Sequence, residues 1–346
     1  MLKRCLLFCA SLALAAATAR AAGALDVYWV DVEGGGGTLI ITPAGESILI
    51  DTGWPGERDA ARIRDTASQA GVSRIDFLIL THFHVDHFGG AASLARLIPV
   101  VSVYDNGIPE HNPDGGNDQE FLQSIKPYRE FPAGRRLVVH PGDSLPLRQT
   151  PTGPAVSLRF LAAAQKTIEP PPGAPRNPLC GGLASPESDS SDNKNSVVSL
   201  LQFGPFRFFD GGDLTWSMEG RLVCPVNLPG KVDVYQVNHH GLDISNNPLL
   251  LQSLSPAVAV MNNGALKGGA VKTIATLKAL PGLKAVFQMH KDLSHGPDAN
   301  VADENIANLG EKCDGNLIRM TVDPDGAAYT LWIPATGRRQ KFRSAF

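Results

Sequence analysis

The sequence predicts an α/β protein with many strand–loop junctions. Three observations carry this. Short β-branched runs alternate with stretches of helical spacing along most of the chain. Of 346 residues, 43% are hydrophobic and only 19% charged, which gives ample material for a buried core and excludes disorder of the whole chain. Gly and Pro, 35 and 26 residues, are too many for a helical bundle and too few for a low-complexity chain.

The elements follow in order. Met1-Leu2-Lys3-Arg4 is a basic start, Cys5 to Ala17 is apolar but too short to span a bilayer, and small-residue cleavage signals end at Ala21. Residues 1–21 therefore read as a secretory signal peptide, and 22–346 as one exported domain, periplasmic or secreted, with no membrane span. Cleavage after Ala21 removes Lys3, Arg4 and Arg20, so the formal charge moves from −3 to −6. No strongly basic surface for long nucleic acid is evident in that balance. Cys5 and Cys9 leave with the leader. Cys180, Cys224 and Cys313 remain, and one bridge plus one thiol is the simplest arrangement in an oxidising compartment. Cys180 and Cys224 flank one hairpin region, while Cys313 is equally available by count.

In the mature chain, Val27–Val32 and Thr38–Thr42 read as strands joined by Gly34-Gly35-Gly36-Gly37, and Ser47–Leu49 leads into Ile50-Asp51-Thr52-Gly53, another strand ending in a polar turn. Arg58–Ala70 has the apolar spacing of a helix that stops at Gly71. Ile75–Leu80 reads as a buried strand. Residues 106–118 and 164–195 are rich in Asn, Asp, Ser, Gly and Pro and read as long loops over a site. Strands are expected at 196–203, 206–210, 232–237, 257–261 and 285–289, with helices near 215–223, 246–254 and 270–280. The tail reads as a strand pair, 317–322 and 328–333, around the Asp323–Gly326 turn.

The chemistry concentrates at strand ends. His82-x-His84-x-Asp86-His87 places four metal-preferring groups in six residues directly after a buried strand. His82 and His84 alternate and so point the same way, whereas Asp86 and His87 divert to a second centre. Asp213 follows two glycines at the end of an aromatic strand, and His239-His240-Gly241 closes a later one.

These residues resemble the metallo-β-lactamase superfamily, and within it the hydrolase domain of ComEC-type DNA-uptake proteins. Asp31-Val32-Glu33-Gly34-Gly35-Gly36, Ile50-Asp51-Thr52-Gly53, Asn195-Ser196-Val197-Val198 and Gly212-Asp213 stand in the order of that group's motifs. The resemblance implies a four-layer αββα sandwich holding two divalent metal ions, Zn²⁺ or Mn²⁺, at one sheet edge. Carried over by position, His82 and His84 hold the first ion, Asp86, His87 and His240 the second, and Asp213 bridges. Asp86 orients the hydroxide that the metal pair activates, and Asp51 fixes a ligand imidazole. His239 is either a ligand in place of His240 or a catalytic donor to substrate or leaving group.

The superfamily's further histidine has no counterpart here. Only His111 and His140 lie between the first cluster and Asp213, and Asn195 stands about where the missing ligand belongs. Asn195, Asn263, Lys267 and His290 are expected to contact substrate. The expected function is an exported metal-dependent hydrolase of a phosphodiester or related ester, with a small molecule or phosphodiester as partner. Amide or lactone hydrolysis, including that of β-lactams, and a catalytically silent binding module are the other readings.

Overall fold

A computed structural model describes residues 22–181 and 189–346; the expected leader over 1–21 lies outside the described residues. The chain order is β1 (Leu25–Trp29), β2 (Thr38–Ile41), β3 (Ser47–Ile50), α1 (Glu57–Gln69), β4 (Ile75–Ile79), α2 (Val85–Phe88), α3 (Ala91–Leu97), β5 (Val100–Asp105), α4 (Asp118–Glu130) and β6 (Arg135–Val138). It continues with β7 (Val156–Ala163), β8 (Lys166–Thr167), β9 (Val198–Phe203), β10 (Phe206–Asp210), α5 (Trp216–Val223), β11 (Val234–Gln236), α6 (Pro248–Leu254) and β12 (Val258–Met261). The last elements are α7 (Val271–Lys278), β13 (Ala285–His290), β14 (Ile306–Asn308), β15 (Ile318–Val322), β16 (Ala328–Ile333) and β17 (Arg338–Arg343).

The strands form two sheets. One has nine strands in the order β17-β16-β15-β1-β2-β3-β4-β5-β6, the other eight in the order β14-β13-β12-β11-β10-β9-β7-β8. Period-2 alternation sorts each strand's side chains between two cores. In β1, Leu25, Val27 and Trp29 enter the layer between the sheets, with Phe160, Phe206, Phe208, Val258 and Phe287 from the other sheet. Tyr28, Leu39, Leu49 and Leu78 face the opposite way and meet Ile63, Leu94 and Ile125 of α1, α3 and α4. Phe209, Tyr235 and Ala259 meet Leu222, Leu250 and Ile274 of α5, α6 and α7 in a third core. The layers are thus helix, sheet, sheet, helix.

Helix α1 shows how sequence sets one layer. Gly56, at φ 109°, turns the chain into it, and Glu57 and Asp59 sit in the first turn, where carboxylates favour the helix dipole. Ala60, Ile63 and Ala67 recur on one face and are buried. The tail differs from the expected strand pair: β17 adds a third antiparallel strand, anchored by its one apolar side chain, Phe342, which stacks on Tyr329.

Strand directions bring the chemistry to one edge. β3, β4 and β5 run parallel, as do β10, β11, β12 and β13, so the turns after β3, β4, β10 and β11 leave their sheets at carboxyl ends. That is where open α/β sheets gather ligands. Cys180 and Cys224 form a disulfide with a Cα–Cα distance of 5.8 Å, and Cys313 is free.

Candidate metal centre

Close main-chain packing builds the floor of the site. A Cβ on Gly36 would fall 2.6 Å from Asp51 Oδ2 and 2.8 Å from His87 Nδ1, so only glycine lets the 31–37 turn lie against those groups. Gly212, at φ 55°, similarly has Thr81 where a Cβ would lie, at 2.8 Å. Thr52 N donates to His87 O at 2.8 Å, and Gly36 N to Asp86 O at 3.1 Å, which ties the glycine turn and the β3 end to the histidine loop.

Four groups converge on this floor. Asp86, His87, Asp213 and His240 are buried, and one ligand atom from each lies within 4.8 Å of all the others. Asp213 Oδ2 is the hub, 3.2 Å from His87 Nε2, 3.3 Å from His240 Nε2, 3.5 Å from His239 Nε2 and 4.0 Å from His82 Nε2. Asp86 Oδ2 lies 3.3 Å from both His87 Nε2 and His240 Nε2. Two imidazoles and two carboxylates facing one point make a donor set that fits a divalent transition metal. Beside it, His82 Nε2 and His84 Nδ1 face each other at 2.9 Å, a second pair of ring nitrogens open to one ion.

Two of the imidazoles, His87 and His84, are oriented from behind by carboxylates. Asp51 Oδ2 accepts from His87 Nδ1 at 2.7 Å and from Thr81 Oγ1 at 2.8 Å, and Asp51 Oδ1 accepts from Thr81 N at 2.8 Å. This leaves His87 Nε2 directed at Asp213, as a partner carboxylate does for a ligating histidine. Asp114 Oδ2, 3.0 Å from His84 Nε2, serves His84 in the same way. Lys267 reaches Asp86 with its ammonium, and its Nζ stands 4.9 Å above the Trp54 ring.

Burial and charge compete across the cluster. Burial opposes protonation of His87, but Asp213, Asp86 and Asp51 outweigh it and hold the imidazole well above its ordinary range. Burial also opposes ionisation of Asp213, yet the histidines His240, His87 and His239 keep its carboxyl well below the usual range. His82, fully buried with His87 and His84 as neighbours, is driven the other way, well below its ordinary value. His239 is pushed by burial down to about 4.

Three of the expected substrate contacts are engaged elsewhere. The Asn195 amide donates to Asp192 Oδ1 at 2.8 Å and accepts from Gln165 Nε2 at 2.9 Å, so it does not stand at the His82–His84 pair. It is Asn193, two residues earlier, whose amide reaches the centre, 3.4 Å from His239 Nε2. Asn263 is fully buried and donates to the carbonyls of Gly264 and His290 at 2.9 and 2.8 Å, which makes it a loop brace. His290 Nε2 lies 2.7 Å from Asp31 Oδ1, in a separate cluster with Cys313. Lys267 alone of the four reaches a group of the centre. His111 and His140 are exposed and face Asp118 and Asp143.

Comparison with known proteins bears on the fold. Residues 33–168 match the family model of the metallo-beta-lactamase superfamily. The chain has the metallo-β-lactamase fold. An atrochrysone carboxyl ACP thioesterase of Passalora fulva is 40% identical over 88 residues, 25% of this chain and 25% of that one. Recombination protein 2 of Haemophilus influenzae is 27% identical over 242 residues, 69% of this chain and 24% of its own length. The chain thus spans about a quarter of the length of these curated relatives. Among solved structures, a diphosphatase of the PhnP family aligns with a TM-score of 0.40 at 13% identity, covering 76% of this chain and 94% of that one. In this metallo-β-lactamase fold the matched stretch takes in the His82–His87 loop, while Asp213, His239 and His240 come from the second sheet.

Asp114, Asn193 and Ser245 went unforeseen in the sequence. All three lie in loops, where residue type marks a polar turn but only tertiary contact shows which side chain turns inward.

Proposed function

We propose that the chain is an exported, metal-dependent hydrolase of anionic esters, with a phosphodiester as the leading substrate. The observation that carries this is the convergence of Asp86, His87, Asp213 and His240 on one point beside the His82–His84 pair. Divalent ions held there supply a water activated for attack and a Lewis acid for the scissile group. The chain's own residues do the rest. Asp51 and Asp114 hold the His87 and His84 rings in place. Asp86, facing His87 and His240, is placed both to ligate and to orient the attacking water. Lys267, part-exposed above Trp54, puts a cation at the rim where an anionic oxygen of the substrate arrives.

A carboxylic thioester is the second reading, favoured by the relative named as an ACP thioesterase. Likeness to Recombination protein 2 over 69% of this chain supports the ComEC-like branch and the phosphodiester. The Cys180–Cys224 bridge supports export, since such bonds persist in oxidising compartments.

The test is a substrate panel on purified protein: bis-p-nitrophenyl phosphate, an acyl thioester, a chromogenic cephalosporin and a lactone. Phosphodiester turnover should vanish with chelator and return with Zn²⁺ or Mn²⁺. Full turnover in metal-free protein would overturn the mechanism, and turnover of the cephalosporin alone would overturn the substrate. N-terminal sequencing of secreted material should begin between Arg20 and Ala22.

A further inference from the structure

We infer that His239 is a third protein ligand of the His82–His84 metal position, so that the adjacent pair His239-His240 is divided between the two ions. The inference rests on the metal-dependent reading proposed above.

Backbone conformation is the first support. His239 and His240 adopt φ/ψ of 52°/44° and 53°/17°, and Gly241 follows at φ 85°. Two consecutive residues with a Cβ in the left-handed region are disfavoured, and such backbone persists where surrounding structure demands it. Here the demand is visible in the side chains. The Nε2 atoms of two sequence neighbours end 3.5 and 3.3 Å from the same oxygen, Asp213 Oδ2. A regular strand would send those two rings to opposite faces.

The two rings approach Asp213 in different company. His240 Nε2 is 3.3 Å from Asp86 Oδ2 and 3.3 Å from His87 Nε2, which makes it a member of the Asp86–His87 set. His239 stands with Asn193 instead, its Nε2 3.4 Å from the Asn193 amide. Asp213 Oδ2 also lies 4.0 Å from His82 Nε2, which faces His84 Nδ1 at 2.9 Å. A bridging carboxylate thus has His87 and His240 for one ion, and His82 and His239 for the other.

The tautomer agrees. His239 Nδ1 is 3.1 Å from Ser245 Oγ, and Ser245 is 1% exposed, its carbonyl held by Trp216 Nε1 at 2.8 Å. A ring that donates from Nδ1 to a fixed hydroxyl keeps its Nε2 lone pair for a metal. The Asn193 amide is the other support. It is 4% exposed, and its Oδ1 is buried with no hydrogen-bond partner among the described residues. Its Nδ2 is the atom that faces His239 Nε2, and a buried amide oxygen without a donor on that same group suits a cation.

The chain needs such a ligand. Between His87 and Asp213 the sequence offers only His111 and His140, whose side chains are 80% and 74% exposed. Asn195 is tied to Asp192 and Gln165. His239 fills the first position with an imidazole drawn from the same turn that serves the second.

The experiment is a Zn²⁺ titration of metal-free protein with a competing chelator, repeated with Co²⁺ to read the ligand field. The variants are H239N, in which Asn tolerates the left-handed backbone, and S245A, with N195A as control. Wild type and N195A should take two equivalents. H239N should keep one tight equivalent, lose the second under the same competition, and lose one of two Co²⁺ absorption components. S245A should weaken that same event about tenfold, the order seen when a histidine loses its outer partner. Circular dichroism checks folding, and should H239N not fold, S245A decides alone. Two equivalents in H239N at wild-type affinity, with only one limb of the pH–rate profile lost, would make His239 a proton donor and overturn the inference. Unchanged binding in S245A would also overturn it. Wild type taking up no metal would instead remove the reading on which it rests.

Discussion

Two clusters of carboxylate and imidazole lie in the chain, built from similar residue types, and they have opposite charge balance. At Asp31, both carboxylate oxygens accept hydrogen bonds from within the protein. His290 Nε2 lies at 2.7 Å, Cys313 Sγ at 2.8 Å and Glu33 N at 2.9 Å, while Arg62 Nη1 approaches to 3.6 Å. At Asp213, ring nitrogens face the oxygen from several sides, and Asp86 and Asp51 add further carboxylates. The one lysine in reach, Lys267, goes to Asp86. Arg62 supplies a permanent cation that repels a second one, whereas the Asp213 cluster carries several carboxylates with mostly imidazoles to answer them. Residue identity alone nominates both places, and the location of the fixed positive charge separates them.

The sharpest way to break this contrast is to remove the hub. D213N should abolish uptake of both ions and lower hydrolysis at least about 1,000-fold, on the order of 4 kcal/mol of barrier. The check is elemental analysis with kcat/KM on the same sample. In the other cluster D31N should leave two equivalents of metal in place and cost stability instead. Leaving Arg62 beside a neutral amide should lower unfolding free energy by about 4 kcal/mol, read in urea at pH 7. The pH dependence has a definite sign. Burial raises the Asp31 carboxyl, but His290, Cys313 and the Glu33 amide outweigh it and leave it below its ordinary 3.8. Its contribution is therefore present above pH 3.8 and is lost as pH falls through the lower folded value, a loss that D31N should not show. Metal released by D31N would show the two clusters to be one unit.

Glu219 sharpens the comparison from beneath the metal side. Its carboxylate accepts from Asn238 Nδ2, Asn246 N and Asn247 N at 2.7, 2.8 and 2.7 Å, and so brackets the His239-His240 turn. Burial pushes it up to about 7, from 4.5, against those three donors. An acid with a raised folded value gives stability that is full below pH 4.5 and declines between pH 4.5 and 7. That decline amounts to about 3 kcal/mol, and E219Q should remove it from the stability–pH curve measured by denaturation. The smallest effect belongs to Cys313. Burial and the Asp31 carboxylate push its thiol up to about 12, so iodoacetamide at pH 8 should label it only after unfolding. C313A should change stability by about 1 kcal/mol and metal content not at all.

How much of this was legible beforehand differs between the frame and the site. The layers were legible because β-branched runs, helical spacing and glycine stops repeat through both halves, and the resemblance supplied their stacking. The resemblance grouped Asp86, His87, Asp213 and His240 through the order of its motifs along the chain. Lys267, also expected on the substrate side, reaches the centre for a reason no spacing displays: the 262–269 loop folds back so that Gly264 touches the 31–37 turn. Asn195 and His290 were placed by position along the chain. A shift of two residues in a 3-10 turn sends Asn193 inward and Asn195 outward, and a buried carboxylate at Asp31 captures His290 first. Asn193 meets His239 across 46 residues and His290 meets Asp31 across 259, separations that no local pattern spans.

The strand that ends the nine-stranded sheet has a consequence of its own. β17 reads Arg338-Arg339-Gln340-Lys341-Phe342-Arg343, with its outer main-chain groups unpaired by any neighbour in the sheet order. An open edge of that length invites a second molecule to extend the sheet. Here an antiparallel copy laid along it in full register would set Arg338 opposite Arg343 at both ends of the pairing, an arrangement that costs free energy at each pair. Only Phe342 of the six is buried, against Tyr329. The edge is therefore protected by repulsion rather than by cover, and its guard weakens as salt rises. Aggregation by edge pairing should accordingly be a high-salt behaviour of this fold, governed by ionic strength rather than by stability.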